Sequence, residues 1–217
     1  MVTGITGQDG SYLAEFLLGK GYRVIGLKRR SSLLCTERID HIFENPNLKL
    51  EYANLHDAGC FWKLLNRYKP DEIYNIAAQS HVRVSFEVPE ETVDSIAMGT
   101  LRLLNAYKEL CPEAKVYQAS SSEMYGDNPN SPFDEDSRLM PASPYACAKV
   151  FAHNLVRNYR ESYGLFACNG ILFRPHEVPL LLGDNTKAKE KLGWAPKVTF
   201  KRLAEIMYDA DLKALKK

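Results

Sequence analysis

Short apolar runs alternate along the chain with longer stretches in which apolar residues recur every three or four positions. Residues 1–3 read as the end of a strand. Residues 9–20 predict a helix with Tyr12, Leu13, Phe16 and Leu17 at core spacing, and Gly21 stops it. Strands are predicted over 22–27 and 48–53, a helix over 58–68, and a short, mostly apolar strand over 72–77. Such a strand suits the middle of a parallel sheet, where both faces are covered. A helix over 92–110 carries Leu101, Leu104 and Ala106, and the strand 115–119 ends in Ser120-Ser121-Ser122-Glu123. A long helix over 144–163, with Val150, Leu155 and Tyr159, leads to a sixth strand over 166–173. About six β/α units in sequence predict an α/β fold with a doubly wound parallel sheet, the Rossmann architecture.

The pattern changes after Phe173. The segment 187–192 is followed by Gly193-Trp194-Ala195-Pro196 and then by a predicted helix over 200–215. Phe200, Leu203, Ile206, Met207 and Ala210 form one apolar stripe on that helix, and core packing is the expected use of it. The organisation expected is a domain over 1–173 and a smaller C-terminal unit over 174–217.

The 217 residues carry 28 basic and 27 acidic side chains, a net charge of +1. That balance argues against a general nucleic-acid binder, including one working through Lys28-Arg29-Arg30. With 45% hydrophobic and 25% charged residues the composition is globular. No apolar run approaches the ~20 residues a membrane span needs. Met1-Val2-Thr3-Gly4 has neither the basic nor the apolar region of a signal peptide. Cys35, Cys60, Cys111, Cys147 and Cys168 include no CxxC and read as reduced, buried thiols of a cytoplasmic protein. Neither they nor the five histidines have zinc spacing, so no metal is expected.

Gly4-Ile5-Thr6-Gly7-Gln8-Asp9-Gly10 is a GxxGxxG loop between the first strand and the first helix. Glycines there let the backbone turn tightly and approach a pyrophosphate, while the helix N-terminus offers N–H donors and partial positive charge. An NAD site calls for an acidic residue at the end of the second strand, to bind the ribose 2′-hydroxyl. This chain has Lys28-Arg29-Arg30-Ser31-Ser32, and guanidinium groups match the 2′-phosphate of NADP. Asn54-Leu55 and Ala77-Ala78-Gln79-Ser80 follow the third and fourth strands on the same carboxyl edge, where ligands of such sheets bind.

Tyr145 and Lys149 form YxxxK near the start of the long helix. The i, i+4 spacing puts phenol and ammonium on one face. A nearby cation favours phenolate, which makes Tyr145 an acid/base partner for hydride transfer at a carbinol. Ser120, Ser121 and Ser122 end the fifth strand, where a hydroxyl can donate to a substrate oxygen. Glu123 reads either as a loop carboxylate or helix cap, or as a second base that removes a proton beside a ketone and protonates a leaving hydroxyl.

These residues resemble the extended short-chain dehydrogenase/reductase family, in its sugar-nucleotide dehydratase and epimerase group, and there the GDP-mannose 4,6-dehydratases. The resemblance is carried by residues 3–13, Arg29-Arg30-Ser31-Ser32, Ala77-Ala78-Gln79-Ser80-His81-Val82, Ser85-Phe86-Glu87, residues 117–126, Ser143-Pro144-Tyr145-Ala146 and residues 158–173. It implies a hydro-lyase with tightly held NADP that converts GDP-mannose to GDP-4-keto-6-deoxymannose in deoxysugar (GDP-fucose) biosynthesis. It implies Ser121, Glu123, Tyr145 and Lys149 as catalytic residues, with Ser121 where the family usually has threonine. Gly4, Thr6, Gly7, Gln8, Asp9, Gly10, Arg29, Arg30, Ser31, Asn54, Leu55, Ala77, Ala78, Gln79 and Ser80 are implied for the cofactor, with Tyr145 and Lys149. Ser80, Ser85, Ser121, Glu123, Arg174 and Glu177 are implied for the sugar nucleotide.

The chain departs from that pattern in places. Asn54 replaces an aspartate, and Glu91 replaces a tyrosine near the cofactor. Phe173 is followed directly by Arg174-Pro175-His176-Glu177-Val178, which resembles a much later segment of the family. On the order of a hundred residues, a domain's worth, are absent between them. Three readings stay open: the dehydratase, another NADP-dependent sugar-nucleotide epimerase or reductase, and an NADP-binding remnant without turnover. The family also implies a homo-oligomer, a dimer or tetramer, with the loop after Arg30 reaching a neighbour, although Leu33-Leu34-Cys35 makes that loop unusually apolar.

Overall fold

The computed structural model describes residues 1–33, 35–130, 132–170, 183–199, 202–203 and 205–206. Six strands, β1 (Val2–Thr3), β2 (Val24–Lys28), β3 (Leu48–Tyr52), β4 (Glu72–Asn75), β5 (Lys115–Ala119) and β6 (Ala167–Gly170), form one sheet in the order β3-β2-β1-β4-β5-β6. Every pairing is parallel. The order reverses at β1, whose Val2 lies opposite Gly26 on one side and Tyr74 on the other.

The helices are α1 (Gln8–Gly19), α2 (Ala58–Tyr68), α3 (Val82–Glu87), α4 (Pro89–Val93), α5 (Gly99–Leu110), α6 (Pro144–Tyr163) and α7 (Thr186–Leu192). Side chains alternate across each strand, and the two faces feed separate cores. Ile25, Leu27, Ile73 and Val116 pack with Phe61 and Leu65 of α2, Leu103 and Tyr107 of α5, and Val156 of α6. Val2 and Val24 face the other way, onto Ile5, Ala14, Leu17 and Ile39. Helices on both faces of a parallel sheet bear out the doubly wound expectation.

A buried polar chain crosses the middle of the sheet. Thr3 Oγ1 donates to Asn75 Oδ1 (2.9 Å), and Asn75 Nδ2 donates to Gln118 Oε1 (2.7 Å). The same Thr3 oxygen accepts from the amides of Ile76 and Ala77, both at 2.9 Å. These bonds tie β1, β4 and β5 together next to their carboxyl ends and satisfy polar groups that burial would otherwise penalise.

Several expectations need correction. Leu17 is buried as expected, but Tyr12 and Phe16 are 64% and 58% exposed, and Ala14 completes the buried face of α1. The helix expected over 92–110 begins at Pro89 and passes through a π-helical stretch, Asp94–Met98, before α5. Helix α3, which has one buried residue, is too short for its periodicity to register. The described members of the C-terminal stripe, Leu203 and Ile206, are 40% and 42% exposed rather than packed in a core. All five cysteines are free, but Cys35 and Cys147 are exposed and only Cys111 is buried. The sixth strand is described as far as Gly170, and Arg174, Glu177 and most of the 200–215 segment lie outside the described residues. Among the described residues no helix is long and apolar enough to cross a membrane, and no cluster suits a metal ion.

Candidate active site

The glycine loop leaves the carboxyl end of β1 at the point where the strand order reverses. Gly4 has φ +68°, and a Cβ there would meet the Ala77 backbone at 3.0 Å. A Cβ on Gly10 would sit 2.2 Å from the Gly4 carbonyl oxygen. Glycine at both positions therefore lets α1 close directly on the loop. The Gly7 amide donates to the Gly4 carbonyl (2.9 Å), and α1 starts at Gln8 with no side-chain cap. Its first-turn amides thus carry no built-in anion, which leaves the donor geometry that holds phosphates elsewhere. Gly7, Gln8 and Asp9 are exposed and Thr6 is half-buried beside them. A dinucleotide phosphate fits this cradle; the Asp9 carboxylate in the first turn has to point away from it.

Arg29, Arg30 and Ser31 follow β2 on the same edge and are exposed. Lys28 is drawn aside: its Nζ lies 4.9 Å from the centre of the Tyr52 ring. The Ala53 amide donates to the Lys28 carbonyl (3.0 Å), so Asn54 and Leu55 emerge next to the arginines. Ala77 and Ala78 leave β4 against Gly4, Gln79 Nε2 donates to Thr92 Oγ1 (3.2 Å), and Ser80 is exposed. Ser85 is fully buried, and its hydroxyl donates to the Val82 carbonyl (2.6 Å).

Ser121 ends the run after β5 and caps a tight turn over Ser122–Met124, its Oγ accepting from the Glu123 amide (3.2 Å). That turn carries Glu123 inward to 9% exposure. Across from it, Ser143 caps α6 by accepting from the Ala146 amide (3.1 Å), and Pro144 occupies the first turn. Tyr145 and Lys149 are 4% and 3% exposed. Lys149 Nζ donates to the Ala119 carbonyl (2.9 Å) and lies 5.7 Å from the Tyr145 ring centre. The phenol thus stands in the first turn of α6 with the ammonium one turn on.

One partner of this group has no motif in the sequence. His153, a further turn along α6, has Nδ1 3.1 Å from Ser120 Oγ, and its carbonyl accepts from Asn169 Nδ2 (3.0 Å). Burial, followed by the charges of Arg160 and Arg157, holds His153 below its ordinary pKa, which favours the neutral ring. Lys149 and His153 thus grip the last carbonyl of β5 and the first serine after it. The signal was available, since Tyr145, Lys149 and His153 repeat at i, i+4, i+8. A cavity of about 170 Å³ lies at the opposite, amino edge of the sheet, around Met1, Tyr22 and Glu72. Ligands of such sheets bind at the other edge.

The family model for GDP-mannose 4,6 dehydratase matches residues 1–174 and 172–207. The chain belongs to the GDP-mannose 4,6-dehydratase family. The two matched segments meet where the sequence reading found Phe173 joined to Arg174. A GDP-mannose 4,6-dehydratase of Vibrio cholerae is 55% identical over 186 residues, covering 82% of this chain and 50% of that protein. The Homo sapiens enzyme is 53% identical over 187 residues, with the same coverage of 82% and 50%. The chain therefore spans about half the length of the curated family members it matches. Among solved structures, a dTDP-glucose 4,6-dehydratase from Streptomyces venezuelae with NAD and TYD bound superposes with TM-score 0.72 at 27% identity. That match covers 82% of this chain and 57% of the other. A UDP-glucose 4-epimerase from Thermotoga maritima with UDP-glucose gives TM-score 0.68 at 25% identity, covering 78% and 53%.

Proposed function

We propose that this chain carries the NADP-binding and proton-transfer half of a GDP-mannose 4,6-dehydratase, over residues 1–173, with 174–217 as a remnant of the sugar-nucleotide domain. One observation carries the reading. Tyr145, Lys149 and Glu123 are buried at the ends of neighbouring elements, on the same sheet edge as the phosphate cradle and Arg29-Arg30. Bound NADP would accept a hydride from C4 of the mannose and return it to C6.

The chain's own residues do the rest. Tyr145 takes the O4 proton as the alcohol becomes a ketone, and Ser121 donates to that oxygen. Lys149, fixed on the Ala119 carbonyl, keeps an ammonium beside the phenol and the cofactor ribose. The ketone acidifies C5, from which Glu123 removes a proton. Glu123 then delivers that proton to the C6 hydroxyl, which leaves as water; when hydride adds to C6, C5 regains a proton, balanced by the one Tyr145 took from O4. Gly4, Thr6, Gly7, Gln8, Asp9 and Gly10 surround the pyrophosphate. Arg29, Arg30 and Ser31 take the 2′-phosphate. Asn54, Leu55, Ala77, Ala78, Gln79 and Ser80 line the rest, with Ser80 also toward the nucleotide sugar; Ser85 is fully buried with its hydroxyl on the Val82 carbonyl, and Arg174 and Glu177, proposed for the sugar nucleotide, lie outside the described residues. The working form is a cytoplasmic homo-oligomer, with the exposed Leu33 loop reaching a neighbour.

The two family segments meeting at 172–174 favour a second reading, an NADP binder without turnover. Positioning contributes about 7–11 kcal/mol to such reactions, and it needs a pocket for the sugar. Incubating the chain with NADP⁺ and GDP-mannose separates the two. A product lighter by one water identifies the dehydratase; NADP⁺ binding without GDP-mannose binding identifies the remnant. In the first case Tyr145→Phe is expected to lower turnover by about 10²–10⁴-fold, measured as product formation, with NADP⁺ affinity nearly unchanged.

A further inference from the structure

The turn after β3 is held in place by side chains from α4, the π-helical stretch and α5. Within the turn, Asn54 Oδ1 accepts from the His56 amide (3.1 Å), and the Asn54 carbonyl accepts from the Asp57 amide (3.0 Å). His56 Nδ1 pairs with Asp94 Oδ2, and its Nε2 lies 3.6 Å from Glu91 Oε1. Arg102 Nη2 donates to Asp94 Oδ1 (2.8 Å). Its Nη1 donates to the Leu55 carbonyl (3.0 Å), across 47 positions of sequence. Gly99 makes this approach possible, since a Cβ there would stand 3.0 Å from the Leu55 Cβ. The Arg102 guanidinium, followed by His56, holds the Asp94 carboxyl below the usual carboxylate range.

We propose that Arg102, anchored by Asp94, is a positioning residue for the adenosine half of the cofactor site. This rests on the NADP reading above. Strand β3 is the direct neighbour of β2, with Lys28 opposite Tyr52, so the Asn54-Leu55 turn stands beside Arg29-Arg30. Those arginines face the 2′-phosphate of the adenosine ribose, whereas Tyr145 and Lys149 lie beyond β1 and β4, at the nicotinamide end. By fixing the Leu55 carbonyl, Arg102 sets where the Asn54 carboxamide and the Leu55 side chain stand before the adenosine arrives. Its removal lets the turn relax, and the cost falls on adenosine binding alone. His56 and Glu91 extend the hold to α4, which gives the glutamate found in place of the family's tyrosine a partner.

The test titrates the full chain with NADP⁺ and, separately, with 2′,5′-ADP, by calorimetry. Arg102→Met keeps the aliphatic stem and removes the donors. It is expected to weaken 2′,5′-ADP about tenfold, in line with the loss of a charged hydrogen bond, and NADP⁺ by the same factor. Arg67→Met on α2, which removes the guanidinium 3.4 Å from Glu51 of β3, serves as the control and is expected to change neither affinity. Unchanged 2′,5′-ADP affinity in Arg102→Met overturns the proposal. A larger loss for NADP⁺ than for 2′,5′-ADP also overturns it, because general loosening weakens both halves of the site. If Arg102→Met does not fold, Asp94→Asn decides: a loss of about threefold is expected, and no loss overturns the proposal. Failure of the unsubstituted chain to bind NADP⁺ overturns the cofactor reading itself.

Discussion

His153 is half-buried on α6, with Nδ1 3.1 Å from Ser120 Oγ, and burial lowers its pKa. The unfolded chain therefore binds a proton at pH values where the folded chain does not. The stability this contributes is complete above the ordinary histidine pKa and is lost as the pH falls through the lowered one. Urea titrations across that range are expected to show the slope, and His153→Gln is expected to flatten it. His153 further illustrates what single residues reveal. Its spacing from Lys149 was legible, but its bond to Ser120 was not, since nothing local to either residue specifies the other.

Elements fared unevenly for a common reason. Helices α2 and α6 and strand β5 have the predicted bounds, because each is closed by its own chemistry. Asp57 caps α2 by accepting from the Gly59 amide (2.8 Å), and Gly164, with φ +66°, ends α6. Ser143 at the other end of α6 both starts the helix and sets Tyr145 in its first turn. Ser143→Ala is expected to cost about 1 kcal/mol in thermal or urea unfolding, typical of a lost N-cap. The π-helical stretch had no local signal. It widens the helix where Asp94 meets Arg102 and His56, contacts that only the folded chain makes.

At the scale of the molecule, the dinucleotide site proposed at the β1 switch point would make folding and cofactor binding one equilibrium. A ligand that binds only the folded chain stabilises it in proportion to the logarithm of its concentration over Kd. NADP⁺ at about 100 times its Kd is expected to add about 2.7 kcal/mol and raise Tm by about 5–11 °C. NAD⁺ at the same concentration is expected to do less, since it lacks the 2′-phosphate proposed to meet Arg29 and Arg30. Equal shifts for the two cofactors would overturn the assignment of the arginines. The exposed Leu203 and Ile206, and the exposed Tyr12 and Phe16, show that an apolar stripe or helical spacing does not fix which face is covered.

The sequence by itself determined the parts that depend on neighbouring residues. Gly10 needs only its own loop and helix to be required, and YxxxK needs only the pitch of one helix. Short apolar strands between helices are enough to imply a parallel sheet. The tertiary structure decided which distant groups meet: Lys149 on the Ala119 carbonyl, Arg102 on that of Leu55, and Asn75 between Thr3 and Gln118. Each of these contacts depends on the register of elements far apart in the chain. Burial selects that register from the packing of the whole sheet, so polar pairs held within it leave no periodic trace in the sequence.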